Sequence, residues 1–171
     1  TSISGKQITL TYVEPGIWFG DVSSFDGDRR THDAYAHGDT TILCVAKADF
    51  KKILALHVEL YEALLRLHAR RIRQLYGLVE DLNTLPLRAR LAKQLLHLVR
   101  SYGVPSLSEA SEVRIGLQLA QEELAQLLGA SRQRVNQELK SMERDGAIRI
   151  EQGGLVIRDR VALMQIIDAD N

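Results

Sequence analysis

Polar side chains between Ser131 and Lys140 have the hydrogen-bonding chemistry that reads base edges and phosphates. Arginine can donate to both acceptors of guanine, and asparagine or glutamine can pair with adenine. The apolar residues Val135, Leu139 and Met142 recur among them at helical spacing, which predicts that the polar residues share the outer face of a helix. The residues that we expect to contact duplex DNA are Ser131, Arg132, Gln133, Arg134, Asn136, Gln137 and Lys140.

A pair of short helices is predicted to position this polar face. The segment from Glu122 to Leu128 is amphipathic, and Gly129 ends it where a left-handed backbone costs least. Ser131 is a good N-cap for the next helix. Helices joined by such a turn form a helix-turn-helix, whose second helix enters the major groove of DNA.

The residues that follow predict a β-hairpin. In AIRIEQGGLVIRD, alternating strands flank Gly153 and Gly154, which tolerate the positive φ of a tight turn. Asp159 can cap a short closing helix that runs to about Ile167. A helix-turn-helix followed by a hairpin is a winged helix. The alternative is a small helical domain that ends in a hairpin and has no role in DNA binding.

The N-terminal part has a different pattern. Residues 1 to about 48 predict β-structure, because ITLTYV alternates, TTILCV is β-branched, and turn signals separate these runs. From about Asp49 to about Leu82 the pattern predicts a long helix with adjoining apolar stripes. We expect one stripe to pack on the β part and the other on an identical helix, although both could be buried in a monomer. The stripes are Leu64, Leu75, Leu78 and Leu82, interrupted by His68 and Arg71, and Leu65, Ala69, Ile72, Tyr76 and Val79.

A further helix is predicted after Pro86, with Thr84 as its cap and Gly103 as its stop. Its buried face comprises Leu87, Leu91, Leu95 and Leu98. The Ser-rich segment 104–112 is predicted to be a surface loop. The predicted domains are therefore 1–48, a partial β-roll; 49–83, a dimerisation helix; and 84–171, a winged helix. The fold class is α+β.

The composition narrows the classes of function. The 171 residues include 22 basic and 22 acidic residues, so positive charge for DNA binding has to be local. No apolar run approaches the roughly 20 residues that span a bilayer, and the printed start lacks the features of a secretory signal. Cys44 lies in an apolar run and is predicted to be buried. We expect a cytoplasmic protein that contacts no membrane.

Catalytic and metal-binding motifs are not found in the sequence. There is no nucleophile elbow, Walker loop, HExxH motif or cysteine pair, so we expect no catalytic residues and no enzyme activity. The residues His57, His68 and His97 lack the spacing of metal ligands. Asp21, Arg30 and His32 could in principle form a site, but the sequence gives no reason to orient them together.

The stretch LAQEELAQLLGASRQRVNQELKSMERDGAI resembles the helix-turn-helix of the Crp/Fnr family of bacterial transcription regulators. The resemblance covers essentially the whole chain and implies a homodimer that binds a pseudo-palindromic DNA site. It also implies that the first strands of the β-roll are absent from the printed sequence. Arg132, Gln133 and Gln137 would be the main base readers. Ala120 stands where the family usually has a capping Thr, which loses a cap contributing about 1 kcal/mol.

The resemblance also implies an effector site in the β-roll. Cyclic-nucleotide-binding members use a Gly-Glu pair and an Arg-Ser/Thr pair, and this chain has Gly20-Asp21 and Arg30-Thr31. The candidate effector is a cyclic nucleotide such as cAMP. Where cAMP sensors place hydroxyl residues on the long helix, this chain has the effector candidates Leu75 and Tyr76. The alternative is that Asp21 and Arg30 form a surface ion pair and the roll holds another ligand or none.

Two functions remain open on the sequence alone. The first is an effector-controlled DNA-binding regulator of transcription, whose partners would be double-stranded DNA, a second copy of the chain and RNA polymerase. The polymerase would be contacted near segment 104–112. The second is a ligand-binding module that regulates another protein without binding DNA.

Overall fold

A computed structural model describes residues 8–106, 111–117 and 120–169. These residues form two compact units, one of residues 15–78 and the other of residues 8–14 with the described part of 79–171. The N-terminal unit contains α1 (Val22–Phe25), α2 (Lys47–Leu56) and most of α3 (Glu59–Thr84). The rings of Trp18 and Phe25 pack on Phe50 of α2 with centroids 5.4 and 5.8 Å away.

The long helix that the sequence predicts from Asp49 to Leu82 is interrupted. Helix α2 ends at Leu56 and α3 begins at Glu59. His57 has φ −127° and ψ 74°, which is outside helical geometry, so the ladder of i to i−4 hydrogen bonds stops there. The prediction of one continuous helix is therefore wrong at this position, while the long helix itself is confirmed.

The predicted strands of the N-terminal region are not observed in residues 8–46, where the structure pairs no strands. A short strand needs neighbouring strands and cover for its apolar face, and these residues supply neither. Apolar side chains of both predicted strands stay exposed, among them Leu10, Ile42 and Leu43. Cys44 is likewise exposed, so the prediction of a buried cysteine is wrong for the same reason.

The C-terminal unit is built on α4 (Leu87–Tyr102). Its predicted leucine face is confirmed, because Leu91 and Leu95 are fully buried and Leu87 and Leu98 nearly so. Against it pack α5 (Gln121–Leu128), α6 (Arg132–Arg144) and α7 (Arg160–Ala169), together with a four-stranded antiparallel sheet. The sheet has the order β1-β2-β4-β3, with the strands Gly103–Pro105, Val113–Ile115, Ile148–Glu151 and Gly154–Ile157 numbered along the chain.

The borders of α4 differ from prediction in their details. Thr84 does not cap the helix; its hydroxyl donates to the Glu80 carbonyl of α3, and Pro86 is the N-cap residue. Gly103 is the C-cap, as predicted. Part of the predicted surface loop 104–112 is instead β1, and Glu112 is buried at 2% exposure. Residues 107–110 of that loop lie outside the described part of the chain.

Candidate nucleic-acid interface

The helix-turn-helix forms as the sequence predicts. Gly129 ends α5 in the left-handed conformation at φ 61°. Two residues later, the Ser131 hydroxyl accepts the backbone N–H of Arg134 at 3.3 Å and caps α6. The inner residues Val135, Leu139 and Met142 are buried. Because this face is fixed in the core, the opposite face of α6 is directed outward.

The start of α5 lacks one half of a capping box. Ala120 has no side-chain acceptor for the free N–H groups of the first turn. The other half is present, since the Glu123 carboxylate accepts the backbone N–H of Ala120 at 2.9 Å. A single side-chain hydrogen bond therefore fixes the beginning of this helix.

The outer face of α6 exposes most of the predicted base readers and phosphate-binding residues. No hydrogen bond or ion pair occupies the side chains of Arg132, Gln133 and Gln137 among the residues that the structure describes, so their donors and acceptors can face a ligand. Arginine and glutamine in the first two turns of a recognition helix are suited to base edges in the major groove. The exposed members of the predicted set are Ser131, Arg132, Gln133, Arg134, Gln137 and Lys140.

Asn136 differs from the rest of this set. It is half-buried, and its Oδ1 accepts a hydrogen bond from Nε2 of Gln121 in α5 at 3.2 Å. This bond joins the first turn of α5 to the second turn of α6. The structure therefore gives Asn136 a contact between the helices, which the sequence pattern did not reveal.

The local charge of this surface is positive although the whole chain is neutral. Exposed cations along α6 are Arg132, Arg134, Lys140 and Arg144. The acidic Glu138 lies 3.5 Å from Nη1 of Arg88, which offsets its charge. Such a surface attracts the phosphate backbone without requiring a basic protein overall.

A buried acid beneath the β3–β4 hairpin was also missed by the sequence analysis. The Glu112 carboxylate is 1% exposed and accepts from Arg149 Nη1 at 2.8 Å and from Arg158 Nε at 3.0 Å. The hydrogen bonds from Arg149 to Glu151 and Glu112 raise the pKa of its guanidinium. These contacts tie β3 and the end of β4 to β2, and they fix the base of the hairpin, whose Gly153 has φ 75°.

The effector residues predicted from the resemblance are only partly brought together. Gly20 has φ 79°, and a Cβ built on it would lie 3.5 Å from Cζ of Arg30. The guanidinium of Arg30 thus lies over the Gly20 backbone in an exposed position, an arrangement suited to an anion. The Thr31 hydroxyl lies 2.8 Å from Nδ1 of His32. Leu75 and Tyr76 are exposed on α3, at 58% and 71%.

Asp21 does not form the surface ion pair with Arg30 that was the alternative prediction. Its carboxylate is 1% exposed and faces α3, where Arg71 Nη1 donates to Oδ1 at 3.3 Å. His68 Nε2 lies 3.1 Å from Oδ2, within ion-pair distance but outside hydrogen-bond geometry. Arg71 also donates to the Trp18 carbonyl. His68 and Arg71 are the residues that interrupt an apolar stripe in the sequence, and that interruption was the signal of a buried acid nearby.

The described ranges contain no helix long and apolar enough to cross a membrane. They also contain no cluster of histidine, cysteine and carboxylate groups that could hold a metal ion.

Two family models match this chain. A Crp-like helix-turn-helix domain matches residues 89–166, and a cyclic nucleotide-binding domain matches residues 1–57. The second match supports the predicted type of the N-terminal domain, although residues 8–46 pair no strands here.

Curated relatives align over nearly the whole chain. A CRP-like cAMP-activated global transcriptional regulator of Mycobacterium tuberculosis is 35% identical over 155 residues, which is 91% of this chain and 68% of that protein. The cyclic AMP receptor protein of Thermus thermophilus is 30% identical, over 97% of this chain and 72% of its own length. The global nitrogen regulator of Synechocystis is 27% identical, over 95% and 72%.

Solved structures give the same fold. A CRP/FNR-family transcriptional regulator from Thermus thermophilus superimposes with a TM-score of 0.59 and 25% identity. The superposition covers 66% of this chain and 56% of that one, so the chain spans little more than half of that regulator. Because of these relatives and the helix-turn-helix geometry, we conclude that the chain belongs to the Crp/Fnr family of DNA-binding transcription regulators.

Proposed function

We propose that this chain is a homodimeric, effector-controlled regulator that binds a pseudo-palindromic DNA site. The observation that carries the proposal is the outer face of α6, where Arg132, Gln133 and Gln137 are exposed and without protein partners among the described residues. A face of this kind, on the second helix of a helix-turn-helix, is suited to the major groove.

Each exposed residue of α6 has a role in this proposal. Arg132, Gln133 and Gln137 read base edges, because arginine and amide side chains can form paired hydrogen bonds with guanine and adenine. Ser131, Arg134 and Lys140 bind phosphates and set the register on the duplex. Asn136 acts mainly through Gln121 to fix α5 against α6.

Dimerisation is supported by the apolar residues of α3. The first stripe is covered only at Leu64, which is half-buried, while Leu75, Leu78 and Leu82 are 58%, 44% and 47% exposed. The neighbouring stripe is bare, with Leu65 at 68%, Ile72 at 48%, Tyr76 at 71% and Val79 at 57% exposure. A bare apolar stripe on a long helix favours pairing with an identical helix. We therefore place the dimer contact on this second stripe.

The effector is proposed to bind where Arg30 lies over Gly20, and its chemistry is that of a cyclic nucleotide such as cAMP. The guanidinium suits a phosphate, and it lies close to the Gly20 backbone, which has no side chain of its own. Relatives named for cAMP activation support this choice, although another relative is named for nitrogen regulation. Because Asp21 is engaged by Arg71, a ribose hydroxyl would reach it only in competition with α3.

Control of DNA binding would depend on both the α3 dimer contact and the effector site. An effector that shifts the paired α3 helices would rotate the winged helices about the segment near Asn83 to Leu85. The spacing of the recognition helices would then match, or fail to match, successive major grooves about 34–36 Å apart. Such a regulator acts in the cytoplasm and contacts RNA polymerase, which we propose to occur at segment 104–112. The exposed cations of α6 favour this function over a module that acts on another protein.

Selection from a randomised duplex pool tests the proposal. The protein, with and without cAMP, should enrich a two-fold symmetric sequence whose half-sites lie one helical turn apart. Enrichment that needs cAMP would support both the DNA and the effector assignments. Enrichment that does not depend on cAMP would support the DNA assignment and reject cAMP as the effector. Failure to enrich any sequence under either condition would overturn the DNA assignment.

A further inference from the structure

Arg88 in the first turns of α4 contacts the recognition helix at two places. Its Nη2 donates to Asp145 Oδ2 at 2.5 Å, and its Nη1 lies 3.5 Å from Glu138 Oε2. Asp145 is the C-cap residue of α6, and Glu138 lies two turns earlier on the same face. The side chains of Arg88 and Glu138 are 27% and 31% exposed and that of Asp145 is 55% exposed, so water reaches the contact on the Asp145 side. One guanidinium therefore spans the C-terminal half of α6.

Arg90, two residues further along α4, contacts the other helix of the pair. Its Nη1 donates to the backbone carbonyl of Leu128 at 3.1 Å. Leu128 is the last residue of α5, where helix carbonyls have no partner within the helix. The cation also lies at the negative end of the α5 dipole. Nε of Arg90 is buried without a hydrogen-bond partner among the described residues, so the bond to Leu128 is the contact that orients this guanidinium.

Neither arginine is favoured by α4 itself. The positive end of a helix dipole is at its N-terminus, where cations are unfavourable and carboxylates are preferred. Helix α4 has no acidic residue in its first turn and instead carries Arg88 and Arg90 near that end. A departure from the local preference that is compensated by contacts elsewhere indicates a role outside the helix.

A third cation connects α4 to the end of the long helix. Lys93 Nζ lies 2.7 Å from the carboxylate of Asp81, which belongs to the last turns of α3. The ion pair crosses the bend between α3 and α4 at Leu85 and Pro86. The N-terminal half of α4 is thus tied to α3 on one side and to both helices of the helix-turn-helix on the other.

We propose that Arg88 and Arg90 are positioning residues for DNA recognition, which hold α6 and α5 to the start of α4. In this arrangement a movement at the end of α3 is transmitted to the recognition helix through α4. The proposal rests on the proposed DNA-binding function. The arginines act through α5 and α6 and do not bind phosphate themselves.

The test uses the full chain, a duplex enriched by selection and a scrambled duplex of the same length. Arg88→Met should weaken binding to the selected duplex by about 3- to 30-fold, with binding to the scrambled duplex unchanged. The slope of log affinity against log salt concentration should also be unchanged, whereas removal of a phosphate-binding arginine would reduce its magnitude by about one. Arg88→Lys should recover part of the loss. Arg100→Met is the matched control, because Arg100 is exposed on the last turn of the same helix.

Hydrogen exchange of the free protein gives a second readout that does not depend on DNA. Amides from Leu139 to the C-cap residue Asp145 should exchange faster in Arg88→Met than in the wild type, and remain unchanged in Arg100→Met. Equal exchange in all three proteins would overturn the positioning role. A lower salt slope in Arg88→Met would also overturn it, in favour of direct phosphate contact. If the wild type selects no duplex, the proposed function fails, and the exchange experiment still decides the role of Arg88.

Discussion

Asp21 and Arg71 lie fifty positions apart in the sequence, and the Arg71 guanidinium donates to the Asp21 carboxylate at 3.3 Å. The carboxylate is 1% exposed, so it depends on protein groups to replace the water it has lost. Nε2 of His68, one turn earlier on α3, lies 3.1 Å from the other carboxylate oxygen of Asp21. This pairing connects the Gly20-Asp21 turn to the long helix.

We therefore expect Arg71→Met to destabilise the N-terminal unit by about 1–3 kcal/mol, because it leaves a buried carboxylate without its main partner. Arg70→Met is the control, since Arg70 is exposed on the neighbouring face of α3. Urea unfolding followed by the fluorescence of Trp18, the chain's one tryptophan, measures the change. Equal midpoints for the two variants would show that the pair contributes little to stability.

Gly129 allows the turn between α5 and α6 because its φ is 61°. Gly129→Ala should destabilise the C-terminal unit by about 1–2 kcal/mol, since a Cβ disfavours the left-handed conformation. An added Cβ would have no heavy atom within 4 Å, so crowding is not the cause. Asn enters this conformation more readily, and Gly129→Asn should lose less. Thermal unfolding of the three proteins tests this order; an alanine variant as stable as the wild type would contradict it.

The bare stripe of α3 gives a prediction about assembly. Ile72→Glu places a charge in the middle of the proposed helix pair and should convert dimers to monomers. Arg73→Glu changes the charge at the adjacent exposed position and should leave the dimer intact. Sedimentation equilibrium distinguishes the two variants. Dimers that persist in Ile72→Glu would place the contact elsewhere on the chain.

Two tyrosines should titrate late in alkaline solution. Burial, with the nearby Glu123 carboxylate, raises the pKa of Tyr12, and burial with Glu14 raises the pKa of Tyr102. A raised pKa means that the neutral phenol stabilises the fold below the ordinary tyrosine pKa of about 10, and that this stability is lost as the pH rises through the raised value. Tyr12→Phe should remove a late step from the absorbance titration. A Tyr12→Phe protein whose titration keeps both late steps would contradict this assignment.

The C-terminal unit was predictable from sequence because its signals are local. Ser131, Gly129 and the spacing of Val135, Leu139 and Met142 specify caps, a turn and an inner face within a few residues of each other. The structure adds long-range partners that no local pattern contains. Arg149 donates a hydrogen bond to Glu112, which is 37 positions away in the sequence, and Arg88 donates to Asp145, which is 57 positions away.

The prediction of N-terminal strands was wrong for the opposite reason, because strand signals are not complete within a local segment. The alternation in ITLTYV describes a strand that fits a sheet, but strand pairing depends on neighbours that residues 8–46 do not provide. The candidate effector residues were chosen by resemblance, and Asp21 turned out to face α3 because a buried carboxylate needs cations. Only the two polar interruptions in the α3 stripe, His68 and Arg71, carried that information in the sequence.

The central claim is that Arg132 on the outer face of α6 reads DNA, and fluorescence anisotropy of a labelled duplex enriched by selection tests it most directly. Arg132→Ala should weaken binding to that duplex by about 1–3 kcal/mol and relax the base preference at one position in each half-site. Arg160→Ala, at an exposed arginine that begins α7, is the control and should keep the preference. An Arg132→Ala protein that binds the same duplex with unchanged affinity and preference would contradict the account.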